Sequence, residues 1–266
     1  MTIHSLSAPT SLCGKIQEVF SSLQGEGIYW GRRQIFIRFF GCNMKCLYCD
    51  EPETSFVPDS EASYLPKTVD QLLEEVDLLE KGQGPHHSIS LTGGEPLGHT
   101  EFLLELAPTL KERGFRLYLD TNGTLPDRLR QVLPYLDVIA MDIKPPSATG
   151  DRPFWDAHRR FLEVGQEKEI FVKIVVTAGT LDEELERAIL MIAQIDPTIP
   201  LVLQPVTPPP VRSASGGRRP FGPRTGGGAV SETVSPSRLF EWSALARRHL
   251  SDVRILGQLH KVVGIK

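Results

Sequence analysis

The chain lacks the marks of a secreted, membrane or nucleic-acid-binding protein. Its 266 residues include four cysteines, and three of them fall within eight positions, so they lay out no disulfide framework. It has no apolar run long enough to cross a bilayer, and the amino terminus lacks the basic start and apolar core of a signal peptide. Neither sign of charge dominates: 29 basic against 33 acidic residues leave a net charge of -4, whereas a dedicated nucleic-acid binder is more basic. A cytoplasmic protein is expected, with reduced thiols and with neither a membrane nor a nucleic acid as direct partner. At 40% hydrophobic and 23% charged residues, the composition favours one large globular domain with a proper core.

Residues 1–14 carry no periodic pattern and read as a loose tail, leaving 15–266 as a single domain. A first strand is expected over 15–20, followed by a polar, turn-rich loop over 21–27. A second strand, 33–40, is apolar nearly throughout and interrupted by Arg38. After a long loop at 52–66, Thr68 and Gln71 form a capping-box pattern that opens a helix with Val69, Leu72, Leu73, Val76 and Leu79 on one face. Strands at 88–91, 115–119, 137–143, 169–176, 200–203 and 253–256 then alternate with helices at 101–113, 153–164, 181–195 and 237–250, the first of these helices with a kink at Pro108. Alternation of this kind implies an α/β fold with a parallel sheet, open or closed as a barrel. One stretch breaks it. Residues 208–230 are rich in Pro, Gly, Ser and Arg without an acidic residue, and read as a disordered insertion.

In a parallel sheet, ligands gather at the carboxyl ends of the strands, and the polar motifs here fall at predicted strand ends. Cys42, Cys46 and Cys49 have the spacing C-x3-C-x2-C. A structural zinc site closes with four Cys or His ligands, but Cys13 lies well upstream and the nearest histidines are His4 and His86. Three thiolates suit a four-iron cluster with one iron left open for a chelating small molecule. Zinc binding and other cluster proteins stay open on the thiols alone. Gly93, Gly94, Glu95 and Pro96 follow a predicted strand; they suit close backbone approach to a cationic ligand, and equally an ordinary turn. Arg38 inside an apolar strand needs an anion, either a ligand carboxylate or an internal salt bridge.

The cysteine spacing, with the aromatic Tyr48 just before the last thiol, resembles that of the radical S-adenosylmethionine (SAM) enzymes. Segments 20–27, 36–43, 46–50, 142–146 and 258–261 are similar to the 7-carboxy-7-deazaguanine synthase family within that superfamily. The resemblance implies a partial parallel (β/α) barrel holding a [4Fe-4S] cluster on Cys42, Cys46 and Cys49. It assigns SAM to Tyr48, Gly93, Gly94, Glu95, Thr121, Asn122 and Lys144; turn formation and a solvated cation are the bland alternatives for Asn122 and Lys144. It assigns the substrate, 6-carboxy-5,6,7,8-tetrahydropterin, to Leu23, Gln24, Gly25, Glu26, Arg38 and His260. A magnesium ligand is expected one position after Cys49-Asp50; the family often has threonine there and this chain has Glu51, whose longer side chain would move the ion. A flavodoxin or ferredoxin as electron donor and a homodimer are also implied. The rivals are a glycyl-radical-enzyme activase, which has no use for the Gln24 and Glu26 loop, and a non-enzymatic metal-binding scaffold.

Overall fold

The computed structural model describes residues 12–50, 64–207 and 232–265. The expectations for residues 1–11, Glu51 and most of the 52–66 loop, and the 208–230 insertion fall outside those residues. A hairpin opens the fold. β1 (Gly14–Leu23) pairs antiparallel with β2 (Arg33–Phe39), placing Ser21 opposite Ile35 and Leu23 opposite Arg33. Residues 21–23, expected as loop, therefore continue the strand: their polarity suits a half-buried hairpin edge, and the ladder to β2 supplies the backbone partners. The short β3 (Leu65–Lys67) pairs with the other edge of β1, so the end of the expected 52–66 loop is also strand.

From β2 onward the pairing is parallel, through β4 (Ser88–Gly93), β5 (Leu117–Thr121), β6 (Val138–Asp142), β7 (Glu169–Val176), β8 (Leu201–Pro205) and β9 (Val253–Ile255). The sheet order is β3-β1-β2-β4-β5-β6-β7-β8-β9. Between the strands run α1 (Val69–Gln83), α2 (Thr100–Glu112), α3 (Pro126–Val132), α4 (Pro146–Thr149), α5 (Trp155–Gly165), α6 (Asp182–Ile195) and α7 (Pro236–Ala246). A last short helix, α8 (Leu259–Val263), follows β9. The predicted capping box opens α1: Thr68 accepts from the Gln71 amide while the Gln71 side chain accepts from the Thr68 amide, a cap that contributes about 1 kcal/mol.

The two faces of the sheet differ, and the period of two in a strand makes the difference legible. Leu117 and Leu119, Ile139 and Met141, and Leu201 and Leu203 face the helices and join the main core. Their neighbours Tyr118, Val138, Ala140, Phe171 and Val202 form a second, smaller cluster on the inner face. Two residues farther along the same inner rows come Asp120, Asp142, Lys173 and Gln204. The inner face thus changes from apolar to polar toward the carboxyl ends of the strands. Glu26, in the loop after β1, meets Lys173 on β7, five places away in the sheet order, which requires a concave inner face, that of a partial barrel.

Candidate active site

The first wall of the site is the thiol loop that leaves β2. It is pinned to α4 by the Leu47 amide on the Thr149 carbonyl at 2.9 Å and closed on itself by the Cys49 amide on the Cys46 carbonyl at 3.2 Å. Cys42, Cys46 and Cys49 are partly buried and form no disulfide. Burial pushes the Cys42 thiol up and the Cys46 thiol up to about 11, a preference for the neutral form that a bound cation inverts. Among the described residues, the set of metal-binding side chains with ligand atoms within 4.8 Å of one another is Glu26, Asp50 and His260, not the thiols. At least one sulfur pair therefore lies farther apart than the roughly 3.8 Å that a single tetrahedral Zn–S ion would impose. The number and softness of the thiolates fit a cluster.

The glycine motif ends β4 beside that loop. Gly93 has φ +119, and a Cβ there would lie 2.2 Å from the Phe39 carbonyl; at Gly94 it would lie 2.1 Å from the Gly41 carbonyl. Both glycines are thus required by the approach of β4 to the end of β2, a reason that the sequence did not disclose. Glu95 is buried and engaged by protein: it accepts from the Leu97 amide, the Thr121 hydroxyl and the Asn122 amide at 2.8–3.0 Å. Burial pushes its carboxyl up to about 7 against the pull of those three donors. Asn122 donates to Asn43 Oδ1 at 2.8 Å and lies 3.8 Å from Cys42 Sγ, so it braces the thiol loop. Lys144 pairs with Asp142 at 2.7 Å and sits 5.3 Å from the centre of the Tyr48 ring; it is a buried ion pair, not a solvated cation.

The second wall belongs to the loop after β1. Gln24, expected at the substrate, spends its side chain on protein: Nε2 donates to Gln34 Oε1 at 3.0 Å and Oε1 accepts from the Glu26 amide at 3.0 Å. Gln34 continues the chain to Ser88 at 2.8 Å. Leu23 lies in the β1 ladder opposite Arg33. Gly25 is packed so closely by the carboxyl-terminal segment that a Cβ would fall 2.0 Å from His260 Nδ1, and its carbonyl accepts from the Leu259 amide. Arg38 has an internal anion, Glu18 at 3.1 Å, as the bland reading foresaw. Burial lowers the pKa of His260, with the charges of Lys261 and Arg38 adding to the effect against Glu26 and Asp50. Glu26 and His260, far apart in sequence, come within 4.8 Å of each other, and Arg38 stands on β2, close enough for its charge to act on His260.

Sequence reasoning missed the residue beneath them. Lys173, 4% exposed, donates to Glu26 Oε2 at 2.6 Å and lies 3.1 Å from Asp120 Oδ1. Burial alone raises the Glu26 carboxyl, but the Lys173 ammonium, together with Gln258 and His260, outweighs it and holds Glu26 well below the usual carboxylate range. The signal was present: a lone lysine in the apolar run of β7 is the same kind of interruption that singled out Arg38 in β2. Gln258 was also passed over as a ligand to Glu26; it donates to Glu26 Oε1 at 2.7 Å and to Asp50 at 3.2 Å. Lys261 donates to Asp50 at 2.8 Å, so the carboxylates of the Glu26, Asp50 and His260 group already face two ammonium groups. Ser90 Oγ, Asp142 Oδ1 and Gln204 Oε1 are buried on the inner face without a protein partner. Buried oxygens of this kind call for a donor, and a ligand rich in N–H and O–H groups supplies it.

Comparison with known proteins agrees with this geometry. The sequence profile of the Radical SAM superfamily matches residues 36–192. A 7-carboxy-7-deazaguanine synthase of Geobacter sulfurreducens is 39% identical, the match covering 94% of this chain and 97% of the relative. The protein of that name from Methanopyrus kandleri is 34% identical, covering 93% of this chain and 92% of its own. Among solved structures, QueE from Escherichia coli superposes with a TM-score of 0.59 at 21% identity, over 93% of this chain and 95% of that one, a likeness of fold.

Proposed function

Because the chain belongs to the 7-carboxy-7-deazaguanine synthase family of the Radical SAM superfamily, we propose that it is a carbon–nitrogen lyase. It contracts the ring of 6-carboxy-5,6,7,8-tetrahydropterin to 7-carboxy-7-deazaguanine with loss of ammonia, a step toward queuosine or another deazapurine. The observation that carries the reading is the meeting of Glu26 and His260, with Arg38 on β2, the strand that leads into the thiol loop. A glycyl-radical activase, which acts on a protein, gains nothing from that carboxylate, guanidinium and imidazole.

Cys42, Cys46 and Cys49 would hold three irons of a [4Fe-4S] cluster, and SAM would lie between them and Gly94, Asn122 and Lys144. Bound there, the two would supply one-electron chemistry able to start hydrogen abstraction from the substrate. The chain's own work is to bind, orient and exclude water. Ionised Glu26 accepts from the amidine-like N–H edge of the pterin, and the Arg38 guanidinium, beside Glu18, meets its carboxylate. His260 closes the same side, held by the packing of the carboxyl-terminal segment on Gly25. Asp142 Oδ1 and Gln204 Oε1 take ligand donors from within the barrel. Tyr48, packed by Lys144, lines the thiol side against solvent.

The proposal extends to a flavodoxin or ferredoxin as reductant, a homodimer, and a cytoplasmic setting that keeps the three thiols reduced. No helix of the described residues is long and apolar enough to cross a membrane. Magnesium enters through Glu51, a hard oxygen ligand; chelator-treated enzyme is expected to regain turnover on adding magnesium. The insertion at 208–230 is assigned no part in turnover. The decisive experiment is anaerobic incubation of reduced, reconstituted protein with SAM and the carboxytetrahydropterin. Formation of 7-carboxy-7-deazaguanine is expected, and a protein that cleaves SAM but makes no deazaguanine would sink the reading.

A further inference from the structure

A lysine ammonium inside a sheet is costly unless its charge is compensated, and apolar residues in its place often serve stability as well. Lys173 is such a residue, between Val172 and Ile174, both fully buried. Two carboxylates compensate it, Glu26 at 2.6 Å and Asp120 at 3.1 Å. The partners differ in what else they face. Asp120 stands on β5 within the same sheet, whereas Glu26 lies in the loop after β1 and keeps 18% of its side chain exposed. Its second oxygen is held at 2.7 Å by Gln258, so the carboxylate is gripped at both ends. The other groups around it are His260 and Asp50, from the carboxyl-terminal segment and the thiol loop. Each carboxylate oxygen has two acceptor sites, and the grip uses one on each. One acceptor site on each oxygen therefore remains for the N–H donors of a ligand.

We propose that Lys173 is a positioning residue for the substrate: it clamps Glu26 so that the carboxylate meets the paired N–H edge of the pterin. The inference rests on the substrate reading above. Lys173 acts through Glu26 and touches no reacting atom. Without its ammonium, Glu26 loses the partner that fixes its rotamer and is left near Asp120, a like charge in the same buried space. The substrate would then meet a carboxylate that turns away, and binding would suffer before chemistry does.

A double-mutant cycle tests this, with K173M, E26Q, the K173M/E26Q double variant and K173R, each reconstituted with iron. The pterin KM of K173M is expected to rise about tenfold or more, with a smaller change in kcat, since a hydrogen bond to a charged group is lost. The SAM-induced change in the spectrum of the reduced cluster is expected to match wild type. The sign that Lys173 works through Glu26 is non-additivity: K173M adds less than about twofold to KM in the E26Q background. K173R, which keeps the charge, is expected to recover part of the loss. The double variant removes the Glu26–Lys173 pair but leaves Asp120 without its cation. K173R, in which the charge is kept but moved, is therefore the variant that remains informative if K173M does not fold. Its pterin KM should lie above that of wild type, and a wild-type KM would count against the clamp. Wild-type KM in a folded, iron-loaded K173M, or fully additive effects on KM, would overturn the inference while leaving the pterin reading intact. Failure of the wild-type enzyme to convert the pterin would instead remove the reading on which it rests.

Discussion

The two walls of the site are built on opposite physical plans. Beside the Lys144–Asp142 ion pair, the thiol wall is braced mostly by neutral groups: glycine backbone against backbone, the Asn43 and Asn122 amides, and a Glu95 carboxyl pushed up to about 7. The substrate wall is braced by ionised groups from remote parts of the chain, Glu26 with Lys173 and Asp50 with Lys261. A wall that must receive a cluster tolerates little variation in shape, and backbone contacts enforce shape. A wall that must recognise a polar heterocycle needs oriented charge, and ion pairs hold it, buried at Glu26–Lys173 and exposed at Asp50–Lys261. Variants of the thiol wall should therefore act on folding and cluster content, whereas variants of the substrate wall should act on the pterin KM.

The largest effect is expected from C46A. It removes one of three cluster ligands, so iron per protein should fall sharply and product formation should drop below detection, while a folded protein remains by circular dichroism. G94A comes next. Its Cβ would press on the Gly41 carbonyl at 2.1 Å, and that atom is backbone, not a side chain able to swing aside. A loss of about 2–4 kcal/mol in urea unfolding is expected, with poor cluster retention. Stability within about 0.5 kcal/mol of wild type would mean that the close approach does not constrain this wall.

Q24L tests the boundary between the walls. The family resemblance implied Gln24 as a substrate contact, but its amide feeds the chain through Gln34 to Ser88. Removing it leaves Gln34 Oε1 buried without that donor, a cost of about 1–3 kcal/mol in stability. The pterin KM should change less than it does in E26Q. An equal rise in KM for the two variants would return Gln24 to the ligand.

These residues mark what the sequence could disclose. Alternating strands and helices, the α1 capping box and the thiol spacing are local patterns, and the strand over 169–176 matches β7 to the residue. Arg38 was legible as a charge needing an anion, though not which anion; Glu18 sits across the hairpin, and register alone decides that. Lys173 gave the same local signal and went unread. Its partner Glu26 is 147 residues away, and only the curl of the sheet brings them together. Gly25 reads as a turn residue until the distant His260 is found to fill the space of its missing Cβ. Local chemistry was readable; pairings that depend on closure of the barrel were not.

The smallest effect concerns His158 on α5, and it separates neutral bracing from charged bracing by pH. His158 is buried, its Nε2 lies 3.1 Å from the Asn122 carbonyl, and burial lowers its pKa to about 4. A base depressed in the folded state stays neutral while the unfolded chain takes up a proton. Its contribution to stability is thus complete above about pH 6.5 and lost as pH falls toward 4. Between pH 7 and 5.5 the loss is about 1 kcal/mol. Glu95 works in the other direction: its carboxyl is raised to about 7, so the folded state gains a proton first and is stabilised as pH falls from 7 toward 4.5. The two trends offset each other in the wild-type profile, which makes that profile a poor test. The informative quantity is the difference between wild type and H158Q, in which the amide can still donate to Asn122 but does not titrate. Urea unfolding at pH 7 and 5.5 should show H158Q gaining about 1 kcal/mol on wild type over that interval. Parallel profiles would place the pH dependence of the thiol wall outside His158.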